Sequence, residues 1–549
     1  MDYSSPLFMI LAIIAVILVM VLLIRIILFF VKPSASRDTF RLAVPLNLLA
    51  RRNRKNHVFI GTGTYSKLLA ARILREWKQE KKKKDQGRIL FVQLGNALSP
   101  SAEEQLQEEL GTTRVKLFQG TIAPQDSLPL AQALGLKGLQ PWLANPRTSL
   151  YLFSEKPREN AHLLSVATED TSIKAKVFYY TSAPGGFDSL VASTGSRVRM
   201  LNPHQMAFNH LKMDCPEVLP VHFVQKALNA QGEPLGYVQD GLHAMVLGFG
   251  GSGQEALRFL VEFGKFVGPD YLTAPTSIGV YDPKLPQLQG PFFQSAPALR
   301  EDPSIQWHAE AADTGAFWEA FNQDALTNYI IVAVDNGPRN IQLGVSLLQA
   351  AARKGQDLSR LMILVRIWNQ TGKDREILNL YNAAYCPEGV QALRGFGNTL
   401  DIWTPDVISG RRLKKTALSF NQLQVSLGMD EEWEQRRKQL SQPGKDQLKN
   451  QMELCRRQAT DISRALYIPT LLNLAPSSGE LQETQLKYLA AQEHLHWMNA
   501  LMVQGYTNGP QNELLKYHPN LVPYPELPAG VSEQTVIPLV KRILQLRKE

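Results

Sequence analysis

The sequence predicts an α/β protein that contains two tandem parallel-sheet domains, an N-terminal transmembrane helix and a small C-terminal α-helical domain. Two glycine-rich turns, each between a short apolar run and a helical pattern, predict the two sheet domains. An apolar run of about 25 residues near the N-terminus is long enough to span a bilayer. The composition, 44% hydrophobic and 20% charged residues, is ordinary for a globular protein and gives no sign of bulk disorder.

The stronger glycine turn lies near the middle of the chain, where the apolar run His243–Leu247 leads into the sequence GFGGSG. A helical pattern follows from Gln254 to Phe266. The spacing G-x-G-x-x-G is typical of Rossmann-like dinucleotide-binding turns. One glycine permits the tight turn, one lets the backbone approach a pyrophosphate, and one lets the helix pack close to the strand. The helix N-terminus adds free N–H groups and a partial positive charge. We therefore predict phosphate contacts at Gly248, Gly250, Gly251, Ser252 and Gly253.

A weaker copy of this turn lies in His57–Ser66, with the sequence HVFIGTGTYS. Ser66 stands in the place of the third glycine, and the next apolar run ends in Gly95-Asn96 without an acidic residue. We therefore expect the first domain to be a degenerate, structural partner of the second.

Further apolar runs follow each turn and alternate with helical segments, as in parallel strands that are buried on both faces. The predicted strands are Arg88–Leu94, Ser149–Ser154, Lys176–Tyr180 and Arg197–Leu201 in the first half, and Ile278–Tyr281, Tyr329–Val334, Met362–Ile367 and Asp401–Trp403 in the second. Ser149–Ser154 and Tyr329–Val334, which we take as the fourth strands of the two sheets, are followed by similar sequences. These are Pro157-Arg158-Glu159-Asn160 in the first half and Pro338-Arg339-Asn340 in the second. These patterns predict Rossmann-like domains at 57–210 and 241–415, joined by a connector at 211–240.

Two acidic residues are candidates for contacts with the nucleotide. Asp282 follows the second strand of the second domain, where an acid is expected to bind a ribose hydroxyl. Asp335, at the end of the fourth strand, would border the same cleft. Each also has a structural interpretation, because Asp282 precedes a proline and Asp335 begins a turn that contains Gly337-Pro338.

Residues 246–368 resemble the nucleotide-binding domain of Trk-type potassium-uptake regulators, also called regulator-of-potassium-conductance domains. The resemblance rests on VLGFGGSGQEAL, VAVDNGPRNIQLGVSLLQAAARKG and MILVRI. It implies binding of NAD(H) or another adenine nucleotide, and a role as a gate or sensor. The third strand departs from the family, because it runs into Trp307-His308-Ala309-Glu310 where the family commonly has Gly-Asp.

The C-terminal region 481–549 follows a predicted helical linker at 416–480. It contains Glu493-His494-x-x-Trp497, Gly505-Tyr506 and a later segment with His518-Pro519 and Pro523-Tyr524. This order of motifs resembles the ryanodine-receptor (RyR) repeat domain, a small helical module that is implicated in ligand or protein recognition.

Two interpretations of this C-terminal region stay open. In the first, a small pocket binds a planar ligand through His494, Trp497, Tyr506, His518 and Tyr524. In the second, the same side chains form a compact core in which the tryptophan packs and His494 is hydrogen-bonded. A metal site is not expected, because His494 and His496 are two residues apart on a helix and face different directions.

The N-terminal apolar segment 7–31 is predicted to cross the inner (cytoplasmic) membrane once. A basic juxtamembrane linker at 32–56 follows it, so the positive-inside rule places the N-terminus outside and the bulk of the chain in the cytoplasm. The linker and Lys81–Lys84 are expected to favour anionic lipid headgroups, and no nucleic-acid binding is expected. A cleavable signal peptide ending near Ser34-Ala35-Ser36 is the alternative.

Together these features predict a membrane-anchored nucleotide sensor and not an enzyme, because the sequence contains no familiar catalytic motif. Ligand binding would change the assembly of a homo-oligomer, its transmembrane helices or an ion-transport or signalling partner. A nucleotide-triggered antiviral effector is one version of this prediction, by analogy of architecture alone. A scaffold with inactive nucleotide sites and an NAD-dependent oxidoreductase are the alternatives.

Overall fold

A computed structural model of the chain describes Met20 and residues 54–79, 86–95, 97–122, 128–182, 197–334, 337–369, 371–429, 446–477, 481–528 and 530–546, with scattered positions between 431 and 439. The predicted transmembrane segment 7–31, apart from Met20, lies outside these ranges, as do residues 32–53 and Asp335. In the described part of the chain, no helix is long and apolar enough to cross a membrane.

The chain divides into two compact units. The first comprises Met1–Tyr180 and Arg197–Arg199, and the second comprises Thr181–Ser196 and Met200–Glu549.

The first unit is built on a six-stranded sheet with helices between the strands. The strands are β1 (Lys55–Ile60), β2 (Gln86–Leu94), β3 (Val115–Gly120), β4 (Thr148–Leu152), β5 (Lys176–Tyr180) and β6 (Val198–Leu201), which runs across the division between the units. The helices are α1 (Thr64–Gln79), α2 (Ala102–Leu110), α3 (Leu130–Ala133), α4 (Gln140–Leu143) and α5 (Pro157–Glu169). The spatial order of the strands is β3-β2-β1-β4-β5-β6, and the pairs β1–β2, β1–β4, β2–β3 and β4–β5 are parallel.

The second unit begins with helix α6 (Pro203–Asp214) and a small antiparallel pair, β7 (Gln225–Leu228) and β8 (Pro234–Asp240). Its six parallel strands are β9 (His243–Leu247), β10 (Ser277–Tyr281), β11 (Ile305–His308), β12 (Tyr329–Val332), β13 (Met362–Arg366) and β14 (Leu393–Phe396). The helices among them are α7 (Gly251–Phe263), α8 (Leu285–Ser295), α9 (Gly315–Gln323), α10 (Gly337–Arg353) and α11 (Gly372–Tyr385).

This second sheet has the order β11-β10-β9-β12-β13-β14, which is the order of the first sheet repeated. Both sheets have the strand order 3-2-1-4-5-6 of a doubly wound dinucleotide-binding fold. All four residues of β12 are buried, so a central strand covered on both faces accounts for the unbroken apolar run that the sequence shows. The prediction of an α/β chain with two tandem parallel sheets is therefore confirmed, and the strand order is consistent with the predicted Rossmann-like fold.

One predicted strand is wrong. Asp401–Trp403 is not a strand, because Thr399–Ile402 forms a short helix that we label α12. The Asn398 side chain caps its N-terminus by accepting a hydrogen bond from the backbone N–H of Leu400. The sixth strand is instead β14, a short edge strand whose central residues, Arg394 and Gly395, carry little apolar pattern. Strand β3 was also absent from the predicted set.

The remaining helices follow the second sheet. They are α13 (Pro405–Ser409), α14 (Arg411–Ser426), α15 (Gln447–Leu474), α16 (Glu483–Met502) and α17 (Ile537–Leu546), with a two-residue pair formed by β15 (Thr507–Asn508) and β16 (Tyr517–His518). The helix on which the sequence places His494 and His496 is α16. This helix packs on the second sheet domain, because Gln492 accepts a hydrogen bond from Val267 N at 2.8 Å and donates one to Lys265 O at 3.1 Å.

The similar sequences that follow the two fourth strands have a structural explanation. Asn340 is fully buried, accepts a hydrogen bond from Val334 N at 3.0 Å and donates one to Arg366 O at 2.9 Å. Asn160 in the first unit is equally buried and bonds to both backbone groups of Ser154 at 2.8 Å. In each unit the asparagine therefore satisfies backbone groups that would otherwise be buried without partners.

We predict that Asn340→Ala lowers the free energy of unfolding by about 1–3 kcal/mol, because two buried backbone groups lose their partner. Urea unfolding followed by intrinsic fluorescence measures the change. Asn379→Ala is the matched control, because Asn379 is exposed on α11, and its effect should stay within about 0.5 kcal/mol. Equal effects of the two changes would contradict this account of the buried asparagine.

Candidate functional site

The candidate site lies at the carboxyl end of β9, where the strand order reverses. Strand β9 lies between β10 and β12 in the second sheet. The chain leaves β9 toward α7 and β10 on one side, and β12 and β13 extend the sheet on the other side. In open α/β sheets, ligands bind in the crevice at such a switch point. The glycine turn 248–253 follows β9 at this point.

Each glycine of the turn has a distinct geometry. Gly248 has φ +91°, which favours glycine, and a Cβ there would overlap the Ala333 carbonyl oxygen. A Cβ on Gly253 would overlap the Gly248 carbonyl oxygen, so this glycine allows α7 to lie against the end of β9. Gly250 caps α7 in an extended conformation, and a Cβ there would have no atom within 4 Å. The turn is therefore closed on the strand side and open at Gly250.

Asp282 lies beside the turn, directly after β10. Its Oδ2 accepts a hydrogen bond from Phe249 N at 2.7 Å, and its Oδ1 accepts one from Lys284 N at 2.7 Å. The carboxylate therefore fixes the glycine turn to the end of the neighbouring strand. This is the position at which the sequence places a ribose-binding acid.

Aromatic rings border the same side of the crevice. Phe249 is fully buried and makes edge contacts with Phe292 and Trp307, at centroid distances of 5.0 and 5.3 Å. His308 stacks on Tyr281, with centroids 4.3 Å apart and planes at 5°. The Trp307-His308 pair, which replaces the Gly-Asp of the resembled family, thus packs against the ends of β9 and β10.

On the other side of the turn, His204 covers Gly251. His204 is the second residue of α6, which Asn202 caps by accepting hydrogen bonds from His204 N and Gln205 N. Its Nδ1 lies 2.7 Å from Ser252 Oγ, and its Nε2 lies 2.5 Å from the position of a Cβ on Gly251. Burial, followed by the positive charge of Arg366, lowers the pKa of His204 to about 4.

Arg366 reaches the same serine from the end of β13. Its side chain is 1% exposed, and its Nε donates to Ser252 Oγ at 3.3 Å. The guanidinium also donates to carbonyl groups at Ile367 and Gly397 and lies 3.9 Å from the ring centroid of Trp368. A buried positive charge therefore stands directly behind the first turn of α7.

Neither His204 nor Arg366 is among the site residues that the sequence predicts. The arginine at the end of the apolar run MILVRI was the one available indication, because a charge in a buried strand requires partners. His204 gave no such indication. It comes from a helix 48 residues before Ser252, and only the fold brings the two side chains together.

The corresponding turn in the first unit differs at the position of Gly250. Gly61 retains the strand-end geometry, with φ +113°. At Gly63, however, a Cβ would lie 2.8 Å from a carboxylate oxygen of Glu155, which places negative charge where a phosphate would bind. Ser66 is fully buried, and its Oγ has no hydrogen-bond partner among the described residues. These features favour the prediction of a degenerate first domain.

The C-terminal candidates are brought together in part. His494 stacks on Trp497, with ring centroids 5.6 Å apart. The His518 ring centroid lies 5.0 Å from that of Trp497, and the Tyr524 ring centroid lies 6.2 Å from that of His494. His494 Nε2 also bonds to the Val522 carbonyl at 2.8 Å. These rings pack on one another, as the compact-core interpretation expects.

Tyr506 differs from these four residues because its hydroxyl group bonds to a charged side chain. Its side chain is 3% exposed, and its hydroxyl lies 2.8 Å from Glu513, which also pairs with Arg456 at 2.9 Å. Ligand binding by the five C-terminal residues stays a prediction. Within the described ranges, no group of three or more His, Cys, Asp or Glu side chains is placed to hold a metal ion.

No protein-family model matches the sequence, and neither does any curated protein. Among solved structures, a GsuK mutant covers 73% of this chain and 82% of its own, with 14% identity and a TM-score of 0.35. The GsuK channel bound to NAD covers 73% of this chain and 72% of its own, with 14% identity and a TM-score of 0.36. At these TM-scores the similarity decides neither fold nor ligand, so both depend on the residues described above.

We predict that Gly253→Ala destabilises the second unit by about 1–3 kcal/mol or more, because the added methyl group overlaps the Gly248 carbonyl and forces the helix from the strand. Gly250→Ala, at an open position with an ordinary φ, should change the free energy of unfolding by less than about 0.5 kcal/mol. Denaturant unfolding of the two variants in parallel gives the comparison. A destabilising Gly250→Ala and a neutral Gly253→Ala would reverse the assignment of the two glycines.

Proposed function

We propose that this protein is a nucleotide-binding regulatory protein, whose second sheet domain binds NAD(H) or another adenine nucleotide at the turn 248–253. The observation that carries the proposal is the open Gly250 at the switch point of a sheet with the order 3-2-1-4-5-6. The N-terminus of α7 offers N–H groups to phosphates there. We expect the Asp282 carboxylate, which lies beside the turn, to accept hydrogen bonds from a ribose as well.

The proposed regulation extends from this turn to the C-terminal helices through α7. Near the end of α7, Glu262 accepts a hydrogen bond from Ser463 of α15 and pairs with Lys212 of α6. Ser463 Oγ lies 3.0 Å from His496 Nε2 of α16. A ligand at one end of α7 therefore acts on a helix whose other end makes buried polar contacts with α6 and α15, and Ser463 of α15 links it to α16. A shift in assembly requires that the ligand bind two states with different affinity.

We further propose that segment 7–31 anchors the protein in the cytoplasmic membrane, and that ligand binding changes the assembly of the anchored chains or of an ion-transport partner. The apolar runs 7–24 and 26–31, which Arg25 separates, and the basic residues after them support this proposal. The RyR-like region 481–549 is the second candidate sensor, because its sequence motifs resemble a module that is implicated in ligand or protein recognition. A scaffold with inactive sites is the competing function.

Thermal unfolding of the purified full chain in detergent tests the proposal with NAD, NADH, NADP, ATP and ADP. A ligand at 100 times its dissociation constant stabilises the folded state by about 2.7 kcal/mol, which raises the melting temperature measurably. Gly250→Asp should abolish the shift, because it places a negative charge in an open phosphate position without a steric clash. NAD should stabilise more than NADP, because Asp282 repels a phosphate on the ribose.

Gly315→Asp is the matched control. Gly315 is also exposed at the start of a helix, and a Cβ there has no atom within 4 Å. This variant should keep the full shift. A shift that survives Gly250→Asp and is lost in Trp497→Ala would move the sensor to the C-terminal region. No shift with any nucleotide would favour the scaffold, and consumption of NADH with a substrate pool would favour an oxidoreductase.

A further inference from the structure

His204 comes from outside the second sheet domain and yet forms one wall of its phosphate turn. Helix α6 precedes the hairpin β7–β8 in the chain, and its first turn brings the imidazole over Gly251. The indole of Trp368 meets the imidazole edge to face, with centroids 5.2 Å apart. The ring is therefore held between a packed aromatic group and the backbone that begins α7.

A chain of hydrogen bonds sets the direction in which His204 donates. Arg366 Nε carries a proton and can only donate, so Ser252 Oγ accepts from it. The serine then has a hydroxyl proton of its own to give, and His204 Nδ1 lies 2.7 Å away. A proton on Nδ1 would point toward the arginine cation, which disfavours it. Nδ1 therefore accepts, and the neutral ring carries its proton on Nε2.

The protonation state of the His204 ring agrees with these hydrogen-bond directions. The pKa of His204 is lowered to about 4 by burial and by the charge of Arg366, so the ring is neutral near pH 7. A neutral imidazole donates from one nitrogen and accepts at the other. The ring lies face-on to Gly251, because its Nε2, Cδ2 and Cε1 atoms are 2.5, 2.7 and 2.9 Å from the Cβ position. The Nε2–H bond lies in the ring plane and therefore runs along the turn and not into Gly251.

We propose that His204 Nε2–H donates a hydrogen bond to the phosphate bound at Gly250–Ser252, and that this contact makes the site selective for nucleotides over nucleosides. The inference rests on the proposed function and adds a residue to the same site. Backbone N–H groups of α7 bind the phosphate from one side, and the imidazole binds it from the other. Arg366 and the hydroxyl group of Ser252 have a positioning role, because they fix the ring and do not themselves bond to the ligand.

Titration calorimetry of the full chain in detergent with ADP, adenosine and inorganic pyrophosphate tests the inference. His204→Phe keeps a ring and removes the donor, so affinity for ADP and pyrophosphate should fall by about 10- to 100-fold, as for a lost hydrogen bond to a charged group. Affinity for adenosine should stay unchanged. His204→Gln restores an N–H near Nε2 and should recover most of the loss.

His210→Phe is the matched control, because His210 lies on the same helix and pairs with Asp214 at 3.6 Å, away from the turn. It should leave all three affinities unchanged. Equal losses for ADP and adenosine in His204→Phe would show a packing role only and overturn the inference. Unchanged ADP affinity in His204→Phe would overturn it as well, while leaving the proposed function intact. If the wild-type chain binds neither ADP nor pyrophosphate in this titration and shows no thermal shift with NAD, both proposals fail.

A second measurement stays decisive if His204→Phe does not fold. Nitrogen-15 NMR of histidine-labelled full chain, with the His204 signals assigned by their loss in His204→Gln, gives the tautomer directly. Proton attachment at Nε2 is the expected result. Attachment at Nδ1 would leave no donor toward the turn and would overturn the inference.

Discussion

The close approach of α7 to the end of β9 is the contact on which the rest of the site depends. Gly253 lies against the Gly248 carbonyl, where any side chain would overlap backbone. This contact aims the free N–H groups of α7 at the switch point between β9 and β12. It also places Ser252 where His204 and Arg366 both reach its hydroxyl. A longer distance between helix and strand would separate all of these groups.

The features predicted correctly from the sequence each depend on residues that are close together in the chain. The glycine spacing and the apolar runs depend on neighbours along the chain, and so does the placement of Asp282 after β10. The shared Asn160 and Asn340 were visible because the fold is repeated. His204 and Arg366 were missed because their meeting at Ser252 joins α6, β13 and α7, segments far apart in sequence. The error at Asp401–Trp403 arose because the edge strand Leu393–Phe396 lacks the apolar pattern of a buried strand.

The two sheets have the same strand order, but the charges around their glycine turns differ. In the second unit, Gly250 is open and a buried guanidinium stands behind the turn. In the first unit, Glu155 covers Gly63 with a carboxylate. The two turns share their backbone geometry at the first glycine, as the positive φ of Gly61 and Gly248 shows, but only the second turn has surroundings that suit an anion. Helix α7 then joins that turn to the C-terminal helices through Glu262 and Ser463.

The most direct test is a structure of the full chain with NAD bound, at a resolution that places the pyrophosphate. We predict that pyrophosphate oxygens accept hydrogen bonds from the backbone at Gly250–Ser252, and that a ribose hydroxyl bonds to Asp282. Density for NAD among Trp497, His518 and Tyr524, with the glycine turn empty, would contradict the central claim and assign ligand recognition to the C-terminal region.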